Sequence, residues 1–262
     1  MLTIFSPLLS VVRRRLIQFF PAGPLRDLMK SVYWALPVGI RGMDPATDLI
    51  RALAGSRTPI RFVQIGANDG STGDYLTDAV LKHRWTGVMV EPHPDSFAKL
   101  SGRFGGFQQI TLANLAIGEH AGIQPFYYLP CNSLVASFNK EHVQRFVTEG
   151  AEVESVDVQC ETMMGFLQTF EVMSIDLLAI DTEGYDGQIL RSIDFNQFDA
   201  QAILFETVHL SGDEKEQSFR LLAKHGFELL HGAYDSVAVK VPNRHSGLEA
   251  LLRANLRDKA IA

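Results

Sequence analysis

Two glycines and one acidic residue in the first half of the chain have the spacing of a nucleotide-binding turn. Gly66 and Gly70 follow the apolar run Arg61–Ile65 and precede a stretch with helical spacing. Gly66 permits a sharp turn, Gly70 permits close approach of the backbone to a ligand, and the helix start offers free N–H groups. Glu91 ends the next strand, where a carboxylate can accept hydrogen bonds from both ribose hydroxyls. The pattern predicts a ligand that carries adenosine, either NAD or S-adenosylmethionine.

Two acidic residues follow a later buried strand. Asp181 and Glu183 come directly after the apolar run Ile175–Ile180, and ligands of open α/β sheets bind at the carboxyl ends of the strands. Asp181 can therefore contact the ammonium group of a cofactor, an acceptor or a divalent cation, and Glu183 can face the acceptor. The alternative for Asp181 is structural, because an acid at this place can cap a helix that begins near Tyr185.

Glu206 and His209 follow the next buried strand, Ala202–Phe205, in the same way. We expect both side chains near the same opening as Asp181. His209 is the best candidate for a general base, because the pKa of a free imidazole lies near neutrality. Asp181, Glu206 and His209 together can also bind a hard cation such as Mg²⁺. Their spacing does not require a cation, so we predict catalytic roles for all three residues and no metal.

The elements that must position these residues are strands that alternate with helices. This alternation extends over residues 61–241 and is typical of βαβ units in a mostly parallel sheet. The last two strands, Phe227–Leu230 and Ser236–Val241, lie too close together for a helical crossover. We therefore expect these two strands to pair antiparallel.

One stretch interrupts the alternation. Gln124–Leu129 and Val153–Cys160 both have the composition of strands, and Ser133–Val147 between them has the spacing of an amphipathic helix. We predict an insertion that adds a small layer of strands and a helix at one edge of the sheet.

Charge separates the N-terminal tract from the rest of the chain. Residues 1–42 contain six basic residues and one acidic residue, whereas the 262-residue chain has 24 basic and 30 acidic residues and a formal charge of −6. The chain as a whole lacks the basic character of nucleic-acid-binding proteins, so we predict no such partner. We divide the chain into a basic and apolar helical extension (1–45), the main domain (46–245) and a helical tail (246–262).

The apolar run at the N-terminus is too short to span a membrane before Arg13 interrupts it. Residues 1–20 can instead form an interfacial helix whose arginines meet anionic headgroups, or a helix that docks on the domain or on a second subunit. We predict a cytoplasmic protein. Residues 1–20 have two possible roles, which are peripheral contact with the inner face of a membrane and contact with a second subunit in a homo-oligomer.

Four sequence elements together resemble the FkbM-type family of S-adenosylmethionine-dependent methyltransferases, over roughly residues 61–240. They are Gly66-Ala67-Asn68-Asp69-Gly70, Glu91-Pro92, Asn114-Leu115-Ala116 and Ile180-Asp181-Thr182-Glu183-Gly184. The resemblance implies a class I methyltransferase fold, with a seven-stranded sheet, an antiparallel last strand and helices on both faces. It also implies S-adenosylmethionine as the cofactor.

The resemblance further implies roles for individual residues. Gly66, Asn68 and Gly70 would line the methionine and ribose side of the cofactor, Glu91 would hold the ribose hydroxyls, and Asn114 and Ala116 would lie near the adenine. Gln64 stands where the family often has an acid that helps to orient the methionine part of the cofactor. We therefore expect the ammonium group to pair with an acidic side chain at another position, with Asp181 as one candidate. Glu183, Tyr185 and Ser137 are the candidates for contact with the acceptor.

The leading hypothesis is an O-methyltransferase whose acceptor is a hydroxyl of a sugar in a glycan, a glycolipid or a secondary metabolite; this acceptor class comes from the resemblance alone. One alternative is an NAD-dependent oxidoreductase, but the turn lacks the GxGxxG spacing and no Tyr-x-x-x-Lys pair follows. Another alternative is a non-catalytic scaffold in glycan assembly, which predicts cofactor binding without turnover.

Overall fold

The computed structural model describes residues 44–56, 58–71, 74, 76–130, 132–147 and 151–261. The predicted N-terminal extension and its membrane or subunit contact lie outside these residues, apart from residues 44 and 45. The helices are α1 (Pro45–Ala54), α2 (Thr77–His83), α3 (Pro94–Phe104), α4 (Lys140–Gln144), α5 (Met163–Thr169), α6 (Asp186–Ser192), α7 (Gly212–Lys224) and α8 (Ser246–Ile261). The strands are β1 (Arg61–Ile65), β2 (Thr86–Val90), β3 (Ile110–Ala113), β4 (Ala116–Gly118), β5 (Gly122–Leu129), β6 (Asn132–Ser137), β7 (Glu154–Thr162), β8 (Ser174–Ile180), β9 (Asp199–Glu206), β10 (Phe227–His231) and β11 (Asp235–Lys240).

The central sheet has seven strands in the order β10-β11-β9-β8-β1-β2-β3. The pairs from β9 to β3 are all parallel, whereas β11 pairs antiparallel with both β9 and β10. The last strand of the chain therefore runs against all the others. This confirms the predicted α/β class and the antiparallel pairing at the end of the chain.

Helices cover both faces of this sheet, which explains why its central strands are apolar on both sides. Phe62 and Leu177 face a core formed with α1, α2, α3 and α8. Their chain neighbours Val63 and Leu178 face a second core formed with α5, α6 and α7. Because β1 and β8 are packed from both sides, the loops that follow them start from fixed positions.

A separate sheet of four strands, in the order β4-β7-β5-β6, forms the predicted insertion. The amphipathic helix predicted over Ser133–Val147 is wrong: its first part is strand β6, and only Lys140–Gln144 is helical. Strand β6 pairs antiparallel with β5, so that Ser137 lies opposite Tyr127. A short strand followed by a short helix can reproduce the apolar spacing of one longer helix, and pairing with β5 decides between them.

The chain passes from one sheet to the other within a region that we predict as a single strand, Phe107–Ala116. In the structure β3 ends at Ala113, and β4 begins at Ala116 in the second sheet. The two residues between these strands lie beside the carboxyl end of β2, because Ala113 is the register partner of Val90. The second sheet is thereby anchored next to the turn that follows β1.

The C-terminal helix α8 packs on α1 and buries Leu248 and Leu252 in the core. The segment before it is held by Asp176 of β8, whose Oδ1 lies 2.8 Å from His245 Nε2 and accepts a hydrogen bond of 3.0 Å from Arg244 Nε. Among the described residues, no helix combines the length and the apolarity that crossing a membrane requires.

Candidate active site

The turn after β1 is closed by hydrogen bonds to both neighbouring strands. The N–H groups of Gly66 and Ala67 donate to Val90 O, and Asp181 N donates to Ile65 O at 2.9 Å. Gly66 has φ +83°, and a Cβ there would lie 1.8 Å from Asp181 O. Only glycine fits where the β1 turn meets the end of β8, so this turn and the Asp181 loop are built against each other.

Glu91 holds the next part of the same turn. Its Oε2 accepts a hydrogen bond of 2.8 Å from Asn68 N, and its Oε1 accepts one of 2.8 Å from His93 N. Burial raises the pKa of Glu91 to about 7, although both backbone hydrogen bonds oppose the shift and Asp69 adds to it. Each carboxylate oxygen keeps a second lone pair, so Glu91 can still accept hydrogen bonds from two hydroxyls of a ligand.

A pocket opens at the carboxyl ends of β1, β2 and β8, and its empty space, including the mouth, is about 1050 Å³. Eight of the predicted site residues line this pocket. They are Gln64, Gly66, Asn68, Glu91, Ala116, Asp181, Glu183 and Tyr185. The second sheet supplies one wall through Phe126, Ala136 and Phe138.

Three of the other predicted residues lie behind the lining. Gly70 packs against α3, since a Cβ there would lie 2.8 Å from side-chain atoms of both Leu100 and Phe104. Asn114 Nδ2 donates a hydrogen bond of 2.8 Å to the backbone oxygen of Glu91 and thereby holds the main chain of that residue in place. Ser137 is buried, and it points away from the pocket because its neighbours in the chain point into it.

Asp74, which sequence analysis did not identify, gives Gln64 an acidic partner. Gln64 Nε2 donates to Asp74 Oδ1 at 3.2 Å, and both residues line the pocket. Burial raises the pKa of Asp74, opposed by hydrogen bonds from Thr77, Leu76 and Gln64. A carboxyl group therefore lies beside the position where the related family often has its strand acid.

His209, Glu183 and His142 meet beside the pocket. The Nε2 of His209 lies 3.2 Å from Glu183 Oε2, and the Nε2 of His142 lies 3.7 Å from the same oxygen. The two imidazole rings pack edge to face with their centroids 4.8 Å apart. Burial and the neighbouring His209 lower the pKa of His142, and Glu183 opposes them. Since Glu183 lines the pocket and His209 does not, the carboxylate joins the histidines to the pocket.

Glu206 approaches the same nitrogen of His209, with its Oε1 3.8 Å from the imidazole Nε2. Burial raises the pKa of Glu206 far above its usual range, and the carboxylates of Asp181 and Glu183 add to the shift. At neutral pH the side chain is therefore protonated. A protonated Glu206 can donate a proton, but it cannot remove one from an acceptor.

Asp186 holds the loops after β8 and β9 together. It is fully buried at the start of α6, and its Oδ2 accepts hydrogen bonds from Thr182 N at 3.2 Å and from Thr182 Oγ1 at 2.7 Å. Its Oδ1 accepts from Glu206 N at 3.0 Å. Burial raises the pKa of Asp186 to about 6 against these hydrogen bonds. The N-cap residue of α6 is Tyr185, which makes no side-chain cap hydrogen bond, and the side chain of Asp186 bonds to the loops after β8 and β9.

Among the residues that the structure describes, two groups of side chains have the geometry to hold a metal ion. One contains His142, Glu183 and His209, and the other contains Asp181, Glu183 and Glu206; within each group the ligand atoms lie within 4.8 Å of one another. The three Mg²⁺ ligands considered from the sequence do not fall in one group: His209 belongs to the first, and Asp181 and Glu206 belong to the second. The sequence pattern contained no signal for His142, which lies in a segment predicted as a longer helix.

The strand order of the central sheet is that of the class I methyltransferase fold. The family model described as the methyltransferase FkbM domain matches residues 64–229, which is more than half of the chain. The chain therefore belongs to the FkbM methyltransferase family, and it is a methyltransferase that depends on S-adenosylmethionine. A comparison with curated proteins finds no match.

Solved structures with a similar fold are distant in sequence. A precorrin-6y C5,15-methyltransferase from Geobacter metallireducens is 13% identical, with 74% of this chain and 87% of that chain covered and a TM-score of 0.41. A SAM-dependent O-methyltransferase from Thermotoga maritima is 11% identical, with 77% and 67% covered and a TM-score of 0.42. A ribosomal protein L11 methylase from Lactobacillus delbrueckii subsp. bulgaricus is 10% identical, with 74% and 77% covered and a TM-score of 0.39. These likenesses are too remote to indicate an acceptor.

The residues of the pocket fit the cofactor. Within the described part of the chain, the buried atoms Gln64 Oε1 and Asn68 Oδ1 have no hydrogen-bond partner, and both residues line the pocket. Buried acceptors without a donor are costly, and the ammonium and hydroxyl groups of S-adenosylmethionine are donors. Gln64 with Asp74 suits the ammonium group, and Glu91 with Asn68 suits the ribose.

Proposed function

We propose that this protein methylates a hydroxyl group of a sugar, in a glycan, a glycolipid or a secondary metabolite. The observation that carries the proposal is the group of His209, Glu183 and His142 at the edge of the cofactor pocket. A hydroxyl must lose its proton when it is methylated, and this group is placed to promote that loss. The sugar is inferred from the family resemblance. Three aromatic residues that line the pocket, Phe126, Phe138 and Tyr185, support this choice of acceptor.

The residues of the chain divide the work of the reaction. S-adenosylmethionine, when bound, supplies a methyl group made electrophilic by its sulfonium. Glu91, Gly66 and Asn68 hold the cofactor in the pocket, while the acceptor oxygen is held in line with the methyl carbon. The group of His209, Glu183 and His142 would take the proton of the acceptor hydroxyl as its oxygen receives the methyl group.

The aromatic wall suits a ring-shaped acceptor. Phe138 packs edge to face with Phe126 at 5.3 Å and with Tyr185 at 5.5 Å between ring centroids. All three side chains line the pocket next to Glu183. The apolar face of a sugar ring can pack against such a surface while its hydroxyls remain directed towards polar groups.

Two experiments test the proposal in sequence. Calorimetric titration with S-adenosylhomocysteine should show binding that is lost in Glu91→Ala, with no binding of NAD. A panel of acceptors with radiolabelled cofactor should then show transfer to a sugar hydroxyl and not to amines or carbon acids. His209→Asn should lower kcat by at least about a hundredfold, the usual contribution of general acid–base catalysis, without weakening cofactor binding.

Transfer to nitrogen or carbon in this panel would overturn the hydroxyl acceptor. Cofactor binding without transfer to any acceptor would favour a scaffold in glycan assembly.

We further propose that the protein works in the cytoplasm on a small-molecule or glycan acceptor, without a nucleic acid partner. Peripheral membrane contact through residues 1–20 is proposed as a way to reach a glycolipid, and flotation of the protein with anionic liposomes, before and after deletion of these residues, tests it.

A further inference from the structure

We propose that His142, Glu183 and His209 bind one divalent cation of the zinc class at the edge of the cofactor pocket. The inference rests on the proposed function, because such an ion would activate the hydroxyl that accepts the methyl group. It differs from the prediction that His209 is a general base, since the lone pair of His209 Nε2 would be used for the ion.

Three separate elements bring the ligand atoms together. His142 comes from α4, Glu183 from the loop after β8 and His209 from the loop after β9. Glu183 Oε2 lies 3.2 Å from His209 Nε2 and 3.7 Å from His142 Nε2. In a tetrahedral site with bonds to zinc of about 2.0–2.1 Å, neighbouring ligand atoms lie about 3.4 Å apart. The two carboxylate–imidazole distances therefore already match a shared ion.

The buried state of His142 points to a ligand independently of this geometry. The residue is only 5% exposed, and within the described part of the chain its Nε2 has no hydrogen-bond partner. The 3.7 Å to Glu183 is too long for a hydrogen bond. A buried nitrogen without a partner is costly, and a cation directly satisfies the lone pair of a neutral imidazole.

The loop that carries Glu183 is shaped to pass between the two histidines. Glu183 has φ +53° and Gly184 has φ +95°. A Cβ at Gly184 would lie 3.5 Å both from His142 Nδ1 and from His209 Cβ. Left-handed conformations of non-glycine residues cluster at functional sites, where the surrounding structure maintains them. Here the loop conformation places a carboxylate between two imidazoles.

The kind of ion follows from the donor atoms. Two imidazoles with one carboxylate favour zinc and its first-row neighbours, whereas Mg²⁺ prefers oxygen ligands alone. Asp181 lies within 4.8 Å of Glu183 in ligand atoms, and its carboxylate adds to the attraction for a cation. Three protein ligands leave a position for the acceptor hydroxyl, whose pKa the ion would lower as it lowers that of bound water. The proton then leaves to solvent.

The test is metal binding by the full chain. Chelator-treated protein is titrated calorimetrically with Zn²⁺, and separately with Co²⁺ while its visible absorption is recorded. We expect one ion per chain, and we expect the visible absorption of bound Co²⁺ to be that of an ion with two nitrogen ligands. His142→Asn, His209→Asn and Glu183→Gln should each weaken binding by at least about tenfold, since even loss of a residue that only supports a ligand has an effect of this size. His83→Asn, an exposed histidine at the end of α2, is the matched control and should bind like the parent protein.

Absence of Zn²⁺ binding, or equal binding by the variants, would overturn the inference. Thermal unfolding and S-adenosylhomocysteine binding check that each variant is folded. If the buried His142→Asn fails to fold, His209→Asn still decides, because the side chain of His209 is 25% exposed. Transfer to a hydroxyl that persists in metal-free protein would overturn the ion and leave the proposed function with His209 as base. Metal binding without transfer to any hydroxyl would keep the ion and remove the proposed function.

Discussion

A single glycine determines the shape of the cofactor turn. At Gly66, alanine would have to keep φ near +83° and place its Cβ 1.8 Å from Asp181 O. Together these costs are about 2–4 kcal/mol. We therefore expect Gly66→Ala to lower the free energy of unfolding by this amount in urea denaturation, and to abolish binding of S-adenosylhomocysteine because the β1 and β8 loops must separate.

Gly102 provides the matched control for this substitution. It lies in α3, and a Cβ there would have no atom within 4 Å. Alanine in a helix is favoured over glycine by about 0.5–1 kcal/mol, so Gly102→Ala should stabilise the protein slightly and bind the cofactor product normally. Equal stability of the two variants would contradict the contact between Gly66 and Asp181.

Glu91 should make cofactor binding depend on pH. Its pKa is raised to about 7, above all by burial, so the side chain gains a proton as the pH falls from 8 to 6. Hydroxyls donate stronger hydrogen bonds to a carboxylate than to a carboxylic acid. The affinity for S-adenosylhomocysteine, measured by calorimetry, should therefore fall by up to about tenfold per pH unit below pH 7. Glu91→Gln should bind weakly and should lose this pH dependence.

The residues that sequence analysis identifies in the pocket are those whose role depends on local spacing. Gly66 and Glu91 each follow a strand directly, and a turn after a strand can be recognised from a few neighbouring residues. Asp74 and His142 become part of the site only through contacts with distant segments, Gln64 in one case and Glu183 in the other. No local pattern specifies such a contact, which is why both residues are missed.

At the scale of elements, Asp186 connects the end of β8 with the end of β9. In Asp186→Asn the amide nitrogen cannot accept a hydrogen bond, so either Thr182 or Glu206 N loses its acceptor. Loss of a buried acceptor costs about 1–3 kcal/mol, and the loops that carry Glu183 and His209 should shift. We expect lower stability in urea denaturation and a lower kcat for methyl transfer, with a smaller effect on cofactor binding.

Asp213→Asn is the control for this prediction, because Asp213 is exposed in the first turn of α7. It should have the stability and kcat of the parent protein. A kcat for Asp186→Asn equal to that of this control would show that the two loops keep their positions without Asp186.

The elements also show where sequence patterns become ambiguous. The sequence pattern predicts a helix over Pro94–Phe104, and α3 has these boundaries because Pro94 starts the helix and the Gly105-Gly106 pair follows it. Strand β6 is missed because it is a strand only as the partner of β5. The error has a consequence for the site, since the end of β6 carries the chain to Asn139, whose side chain caps the short helix that contains His142.

At the scale of the whole molecule, folding collects acidic side chains from distant parts of the chain at one edge of the sheet. Asp181, Glu183 and Asp186 surround Glu206, and together with burial they raise its pKa far above the usual range. In the unfolded chain these residues are separated and Glu206 ionises near its ordinary pKa of 4.5. At neutral pH, Glu206 therefore keeps a proton in the folded protein that it loses in the unfolded chain.

This proton makes stability fall as the pH rises. For a carboxyl whose pKa is raised by folding, the stabilisation of the protonated form is complete below the unfolded pKa and is lost as the pH rises towards the folded pKa. One proton of difference corresponds to at most about 1.4 kcal/mol per pH unit. We expect the free energy of unfolding in urea, measured with a chelator present so that no cation compensates the acids, to decrease from pH 7 to pH 8.5.

Glu206→Gln separates this effect from other titrations. Glutamine keeps the shape of the neutral side chain but does not ionise in the unfolded state. The stability of Glu206→Gln should therefore keep only the smaller decrease near pH 7 that the raised pKa of Glu91 contributes, and it should exceed that of the parent protein at pH 8.5. The exposed Glu216 of α7 gives the matched control, and Glu216→Gln should keep the full slope. The histidines with lowered pKa act in the opposite direction, but only below about pH 6.5, where the unfolded imidazole gains its proton. A full slope that persists in Glu206→Gln would mean that another carboxyl of the folded protein holds the extra proton.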